Sequence, residues 1–356
     1  MKYQTILITG GAGFVGSSLA FKFKQHYSSA KIICLDNLKR RGSELNVPKL
    51  QASGIEFIHG DVRNKEDLVF KTKIDLLIEC SAEPSVLAGI NESPEYLINT
   101  NLLGAVNCLE LAKKNKSDFI FLSTSRVYPV EYLEKLKFEE TPTRFVLSKN
   151  QSLTGASKRG INEDFPLDKP RSLYGGTKLA AEILIQEYAQ TYSTGSIINR
   201  CGVITGPGQF GKVDQGVVVL WLAKHYFKQS LTYLGYGGLG KQVRDLLHVD
   251  DLFEALKIQI EDFKRFNGQV FNLGGGEANT VSLLELTALC QQITGNKVEI
   301  KQVEKQRPND IRIFITDYSK FNRLTQWQPK KDVLTTLQEI YDWIKKNQGQ
   351  LSQILS

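Results

Sequence analysis

The 356-residue chain predicts an α/β fold, a doubly wound parallel sheet with a smaller C-terminal lobe. Three observations predict it. Short apolar runs alternate with amphipathic helical segments over most of the length. The first run passes straight into a glycine-rich turn, Gly10-Gly11-Ala12-Gly13-Phe14-Val15-Gly16. The second run ends on a carboxylate, Asp36, twenty residues after the last of those glycines.

Thr5–Thr9 reads as a buried strand, and Ser17-Ser18-Leu19-Ala20-Phe21 opens a helix. Glycines at such a turn let the backbone approach a pyrophosphate, and the helix N-terminus supplies N–H groups and a positive dipole end. Gly10, Gly13 and Gly16 follow a GxxGxxG spacing, with Gly11 in addition. Ile32-Ile33-Cys34-Leu35 is the second strand, and a carboxylate at Asp36 accepts hydrogen bonds from adenosine ribose hydroxyls. A plain glycine turn beside a solvent-facing acid would not need strand, loop, helix, strand and acid in this register. The pattern is that of an NAD-binding Rossmann unit.

Ile55–Asp61 is expected as a third strand, with Asp61 meeting an adenine edge or capping a helix that begins near Lys65. Ile74–Ile78 is a fourth strand, followed by the loop Ser81-Ala82-Glu83-Pro84. Tyr96–Lys114 reads as one long helix, and Asp118–Ser123 as a fifth strand ending in small hydroxyl residues. Ligands of such sheets bind beyond the carboxyl ends of the strands. Asp36, Asp61, Ala82 and Thr124 lie at those ends and are expected to line one crevice.

Composition suits a soluble enzyme, with 41% hydrophobic and 23% charged residues. No apolar run approaches the ~20 residues of a membrane helix. The first strand starts at once, so neither a signal peptide nor a membrane partner is expected. Cys34, Cys80, Cys108, Cys201 and Cys290 are scattered without a CxxC pair, which predicts buried thiols in a reducing cytoplasm and no metal site. The net charge of +7 is mild and spread out. Lys39-Arg40-Arg41 is its densest cluster, read first as a solvated loop and second as help with cofactor or nucleotide phosphates. A nucleic-acid partner would need a basic stripe with aromatic partners, and the chain has none.

Tyr174-Gly175-Gly176-Thr177-Lys178 carries the chemistry. A tyrosine and a lysine four apart share a helix face. A nearby ammonium and a nicotinamide cation both favour phenolate, lowering the tyrosine pKa towards working pH. Thr124, at the end of the fifth strand, is placed to hydrogen-bond the same substrate hydroxyl.

With these residues the chain resembles the extended short-chain dehydrogenase/reductase family of nucleotide-sugar enzymes, over nearly its whole length. The likeness is carried by Thr9–Gly16, Asp36-Asn37-Leu38, Gly60-Asp61-Val62-Arg63, Ser123-Thr124-Ser125-Arg126-Val127-Tyr128, Tyr174xxxLys178, Arg244–Asp251 and Asn272-Leu273-Gly274-Gly275-Gly276. The resemblance implies a catalytic set of Thr124, Tyr174 and Lys178. It implies NAD contacts at Gly10, Gly13, Phe14, Val15, Asp36, Asn37, Asp61, Val62, Ala82, Asn101, Ser123, Tyr174, Lys178 and Arg200. Arg244 and Arg307 fall where family members hold a nucleotide diphosphate. Glu83, Ser125, Arg126, Gln209, Asp214 and Gln215 complete the expected substrate set.

Within the family, Gly206–Phe210, Asp214-Gln215-Gly216 and Gly240–Asp245 are most similar to the CDP-paratose (CDP-tyvelose) 2-epimerases, as is the long stretch Val130–Ser172. That branch implies transient oxidation at C2 of a CDP-sugar and return of the hydride to the other face. Ser125 and Arg126 stand where the dehydratase branch carries an Asp-Glu pair, which argues against dehydration. Val203 stands where many relatives carry Asn. A 4-epimerase, dehydratase or net dehydrogenase is the alternative in the same fold; a silent NAD-binding scaffold or sensor is the alternative of another class.

The remaining expectations concern the second half. Arg200–Pro207 reads as a strand breaking into a loop from which Gln209, Lys212 and Asp214 project. Tyr233–Gly240 is either a platform for base or ribose, or a surface hairpin. Glu83 and Ser85 are either sugar or cofactor contacts, or loop-packing residues. Asp250 and Asp251 read as caps of a helix Leu252–Ile260, and His248 as a structural hydrogen-bonding residue. Helices are expected over Val281–Gly295 and Val333–Asn347, with Trp327 and Pro329 as core anchors. The NAD-binding domain is expected over 1–195, with an insertion about 130–172. The substrate lobe is expected over 196–356, interleaved around 241–276. The family resemblance also implies a homodimer through the helices Tyr96–Lys114 and Gly176–Tyr192.

Overall fold

The computed structural model describes residues 2–211 and 215–355. The chain forms two compact units: one runs to Val127 and includes Leu173–Arg200 and Phe253–Val270; the other holds Tyr128–Ser172, Cys201–Leu252 and the chain from Phe271. The stretch about 130–172, expected as an insertion in the first domain, falls in the second unit. That unit therefore takes about half of the chain and is not a smaller lobe. The return to the first unit is 253–270 and not 241–276. Its physical anchor is Phe253, whose ring meets Phe23 edge-on at 5.1 Å.

The central sheet has seven strands: β1 (Thr5–Thr9), β2 (Lys31–Asp36), β3 (Glu56–His59), β4 (Leu76–Glu79), β5 (Asp118–Thr124), β6 (Ser196–Cys201) and β7 (Gln269–Leu273). Their order is β7-β6-β5-β4-β1-β2-β3. β1 runs parallel to both β2 and β4, β2 to β3, and β4 to β5. The chain thus winds outward from β1 in one direction and then in the other, with its switch point between β1 and β4. β3 stops at His59, two residues early, because the Asp61 N–H turns away to Asp67 Oδ2 at 2.9 Å.

Alternate strand residues point to one side of a sheet. Leu7, Ile33, Leu35, Leu77, Phe119 and Phe121 form one buried cluster with Cys108 and Leu109 of helix α2 (Gly104–Asn115) and Ala181 and Ile185 of helix α3 (Leu173–Tyr192). The predicted helix Tyr96–Lys114 is interrupted: an α-turn over Glu95–Ile98 and a π-turn over Asn99–Leu103 precede α2. Single π-turns of this kind cluster at functional sites.

In the second unit, strand Val243–His248 pairs in parallel with Val203–Thr205 and Ile313–Phe314, and antiparallel with Thr280–Ser282. The predicted run Arg200–Pro207 is therefore two strands broken at Gly202. Leu231–Leu234 pairs in parallel with Ile300–Val303, so Tyr233–Gly240 is no hairpin. Nor is Tyr233 a platform: it is buried, stacked on Trp221 at 6.1 Å, and donates to Thr287 Oγ1. The helix predicted from Val281 is Leu283–Thr294, begun by a Ser282/Glu285 capping box because Val281 and Ser282 are taken by a strand. Val333–Lys346 is capped by Asp332. The helix predicted over Leu252–Ile260 spans Val249–Glu261, so Asp250 and Asp251 lie in its first turn. His248 Nδ1 accepts the Asp250 N–H, and Asp251 accepts the N–H groups of Lys330 and Lys331. Trp327 is buried and its Nε1 donates to the Asp251 carbonyl. Among the described residues, no helix is long and apolar enough to cross a membrane.

Candidate active site

The glycine turn sits at the switch point of the sheet. Gly10 has φ +63°, and a Cβ there would lie 2.9 Å from the Cys80 carbonyl carbon at the end of β4. A Cβ on Gly16 would lie 2.2 Å from the Gly10 oxygen. Both glycines are required by the turn itself. Gly13 is different: its Cβ would meet only the Gly10 oxygen, at 3.2 Å. Gly13 is also the N-cap of helix α1 (Phe14–His26), and no side chain caps that end. The first-turn N–H groups, those of Phe14 and Val15 included, are thus presented to an anion. This uncapped cradle fits the pyrophosphate of NAD.

Asp36 ends β2 and braces the same turn. Its Oδ2 accepts from Ala12 N and Gly13 N at 3.0 and 3.2 Å, and its Oδ1 accepts from Leu38 N at 2.8 Å. A carboxylate has about four acceptor sites, so one remains for a ribose hydroxyl. Burial raises this carboxyl above its ordinary range, against the pull of the three N–H groups. Asn37 donates to Asp61 Oδ2 at 2.8 Å, and Arg63 grips Asp61 from Nε and Nη2. Burial pushes the Asp61 carboxyl up, but these bonds outweigh it and hold it at about 2. Asp61 caps nothing; the N-cap of Lys65–Leu68 is Asn64. Val62, next to it, is buried. The Lys39 ammonium and the Arg63 guanidinium both lie over the Tyr96 ring, 4.5 and 4.7 Å from its centroid.

Asn101 projects from the π-turn and ties a loop to a helix. Its Oδ1 accepts from Glu83 N at 2.8 Å; its Nδ2 donates to the Glu83 carbonyl at 3.1 Å and to Thr177 Oγ1 on α3 at 3.3 Å. Glu83 Oε1 in turn accepts from Ser85 N. Of the two readings of Glu83 and Ser85, this geometry favours loop shaping, which fixes the loop carrying Ala82.

Tyr174 lies in the first turn of α3 and is partly exposed, and Lys178, one turn on, is buried. Thr124 is the last residue of β5; its Oγ1 accepts from Arg126 N at 3.1 Å, so its own proton is available to a substrate oxygen. Ser125 and Arg126 form the short helical turn that follows. Ser123 donates to Glu182 on α3, and Arg200 donates to Glu182 from Nε and Nη2. Ser123 and Arg200 are thus placed as internal partners of a buried acid. Sequence reasoning missed Glu79: buried at the end of β4, it lies 3.6 Å from Lys178 Nζ. Its signal was present, an acid closing an otherwise apolar strand, Leu76-Leu77-Ile78-Glu79.

In the second unit, Arg244 Nη2 donates to the Ile311 carbonyl at 2.7 Å and lies 3.4 Å from Asp310; Arg307 lies 3.9 Å from the same carboxylate. One acid thus holds together two cations that sequence reading placed at a diphosphate. Gln209 is turned inward, accepting from Thr205 Oγ1 and donating to the Ile204 carbonyl, so it shapes its loop. Gln215 is partly buried. Lys212 and Asp214 lie outside the described residues. Tyr236 donates to Glu134, which also pairs with Arg312. His248, Asp250 and Glu339 bring ligand atoms within 4.8 Å of one another. Lys331 Nζ sits among them, 3.0 Å from Asp250 and 2.6 Å from Glu339, and supplies the cluster's cation.

Residues 6–274 match the model of the NAD dependent epimerase/dehydratase family. The chain belongs to that family. It is an NAD-dependent enzyme whose Rossmann sheet carries the cradle described above. It is 32% identical to the CDP-paratose 2-epimerase of Salmonella typhi, over 95% of this chain and 98% of that one. Among solved structures it is similar to a dTDP-glucose 4,6-dehydratase of Bacillus anthracis in complex with NAD, with a TM-score of 0.77 and 26% identity, over 99% and 100% of the two chains. It is also similar to a UDP-glucuronic acid 4-epimerase of Bacillus cereus in complex with UDP-glucuronic acid and NAD, with a TM-score of 0.78 and 25% identity, over 96% and 99%.

Proposed function

We propose that the protein epimerises a nucleotide-diphosphate sugar, a CDP-sugar by preference, at C2 through a transient keto sugar. The observation that carries this reading is the 32% identity to a CDP-paratose 2-epimerase along 95% of the chain. The Thr124, Tyr174 and Lys178 set in the first unit supports it.

Bound NAD supplies the acceptor, and then the donor, of the hydride. Tyr174 as phenolate takes the proton of the C2 hydroxyl at its phenolic oxygen. Thr124 donates its hydroxyl proton to the same sugar oxygen and fixes its orientation. Lys178 keeps Tyr174 ionised and holds the nicotinamide ribose. After the keto sugar presents its other face, Tyr174 returns the proton, so neither base nor cofactor is consumed. Arg244 and Arg307 hold the diphosphate, for which forked guanidinium donors are suited.

The test is NMR of CDP-paratose incubated with the enzyme in D₂O without added cofactor. Inversion at C2 without deuterium uptake is the expected result, and Tyr174→Phe abolishes it while NAD stays bound. Deuterium beside a carbonyl would mean enolisation and would overturn the mechanism. Inversion at C4 would favour the second reading, which the 26% identity to the UDP-glucuronate 4-epimerase of Thermodesulfobacterium geofontis supports. We also infer a homodimer, supported by exposed Leu103 on the π-turn and Ile183 on α3. Among the described residues the five cysteines form no disulfide, which supports a reducing, cytoplasmic setting.

A further inference from the structure

Helix α3 sets Lys178 against the end of β4. Lys178 and Glu79 are 2% and 1% exposed. The ammonium lies 3.6 Å from Glu79 Oε2 and 3.9 Å from the centroid of the Phe121 ring. Glu79 Oε1 accepts from Ser81 N at 2.8 Å, whereas no hydrogen bond reaches Oε2. An acid facing the apolar cluster of Leu77 and Phe121 is costly unless a charge answers it. The ammonium is that charge.

We propose that Glu79 is a positioning residue: it holds the Lys178 ammonium one turn from Tyr174 and limits how far that ammonium favours the phenolate. The inference rests on the reading of Tyr174 and Lys178 given under Proposed function. Two further groups flank the pair among the described residues. Cys108 faces it from α2, and burial first, then the Glu79 charge, push its thiol well up, so it carries no charge. One turn along α3, Glu182 is answered by Arg200. Neither changes the charge that Glu79 sets against Lys178. Burial raises the Glu79 carboxyl and the Lys178 charge draws it back, as a closely interacting pair requires.

The sign follows. With Glu79 ionised, its negative charge opposes a second negative charge on Tyr174. Glu79→Gln removes that opposition, so Tyr174 becomes more acidic. The experiment uses the full chain labelled with carbon-13 at tyrosine Cζ; the Tyr174 resonance is identified among 13 tyrosines by its loss in Tyr174→Phe. The pH titration of that resonance in Glu79→Gln is expected to fall by about one unit. An unchanged titration in folded Glu79→Gln would overturn the proposal. A merely structural Glu79 would alter the melting temperature and leave this titration alone. If Glu79→Gln does not fold, Lys178→Met asks the same question from the other side. Glu79 should then carry its proton at neutral pH, read from a carbon-13 glutamate label; an ionised Glu79 there would overturn the proposal. The catalytic reading fails separately, by turnover of CDP-paratose surviving in Tyr174→Phe, whatever the titration shows.

Discussion

Asp36 accepts the backbone N–H of Ala12 at 3.0 Å, so the acid that sequence reading gave to the cofactor also holds the turn that receives it. Asp36→Ala should therefore do two things. NAD affinity falls at least tenfold, measured by calorimetry. Stability falls by about 1–3 kcal/mol, because a buried N–H loses its partner. Unchanged NAD affinity would remove the reason for assigning the ribose to Asp36.

Gly13 and Gly16 lie in one turn but answer to different constraints. A methyl group on Gly16 would sit 2.2 Å from the Gly10 oxygen, whereas on Gly13 the nearest atom is 3.2 Å away. Gly16→Ala is expected to cost about 2–4 kcal/mol in chemical denaturation. Gly13→Ala should stay within about 1 kcal/mol of the parent, yet lose NAD binding because the methyl occupies the ligand's approach. Tight NAD binding by folded Gly13→Ala would sink the cradle assignment.

The Asp61 carboxyl, held at about 2 by Arg63 and Asn37, predicts an acid-sensitive contribution to stability. The folded pKa lies below the unfolded value of about 3.9. The stabilisation is therefore complete above about pH 4 and is lost as pH falls through about 2. Asp61→Asn should lower stability by about 1 kcal/mol at neutral pH, and flatten the pH dependence between pH 4 and 2. A parallel acid limb in the variant would show that Asp61 plays no such part.

The first five strands of the central sheet were legible because their signals are local: apolar runs, glycines and the acid after the second run need no partner to be read. The triad candidates were legible as spacing. What escaped were relations across the sequence. Glu79 became visible as the partner of Lys178 once β4 and α3 were packed together. The pairing of Arg200 with Glu182 likewise appeared once β6 and α3 were packed together. Tyr233 suggested a platform because exposure cannot be read from a tyrosine; Trp221 buries it. The π-turn at Asn99–Leu103 was not expected from the reading of Tyr96–Lys114 as one helix.

Ile183 is 52% exposed on α3, and Leu103 is 50% exposed on the π-turn. Both lie on the segments from which the dimer contact is inferred. Ile183→Glu should convert a dimer to a monomer in sedimentation analysis, with the fold retained by circular dichroism. Sedimentation of the parent chain as a monomer would dismiss the dimer outright.

Arg244 and Arg307 share Asp310 but differ in what they hold. Arg244 also donates to the carbonyls of Val243 and Ile311, whereas Arg307 is 35% exposed. Burial pulls the Arg244 pKa down, and the Asp310 charge works against that pull. Arg307→Ala should weaken CDP binding by roughly 10- to 100-fold, the worth of one charge-assisted contact, and lower the melting temperature less than Arg244→Ala does. Arg244→Ala should weaken it as much and also destabilise the protein by about 2–3 kcal/mol, since Asp310 and the Ile311 carbonyl lose their donor. Calorimetric titration with CDP, set beside thermal denaturation of each variant, separates the two roles. Equal CDP affinity in Arg307→Ala and the parent would take the diphosphate away from this pair of arginines.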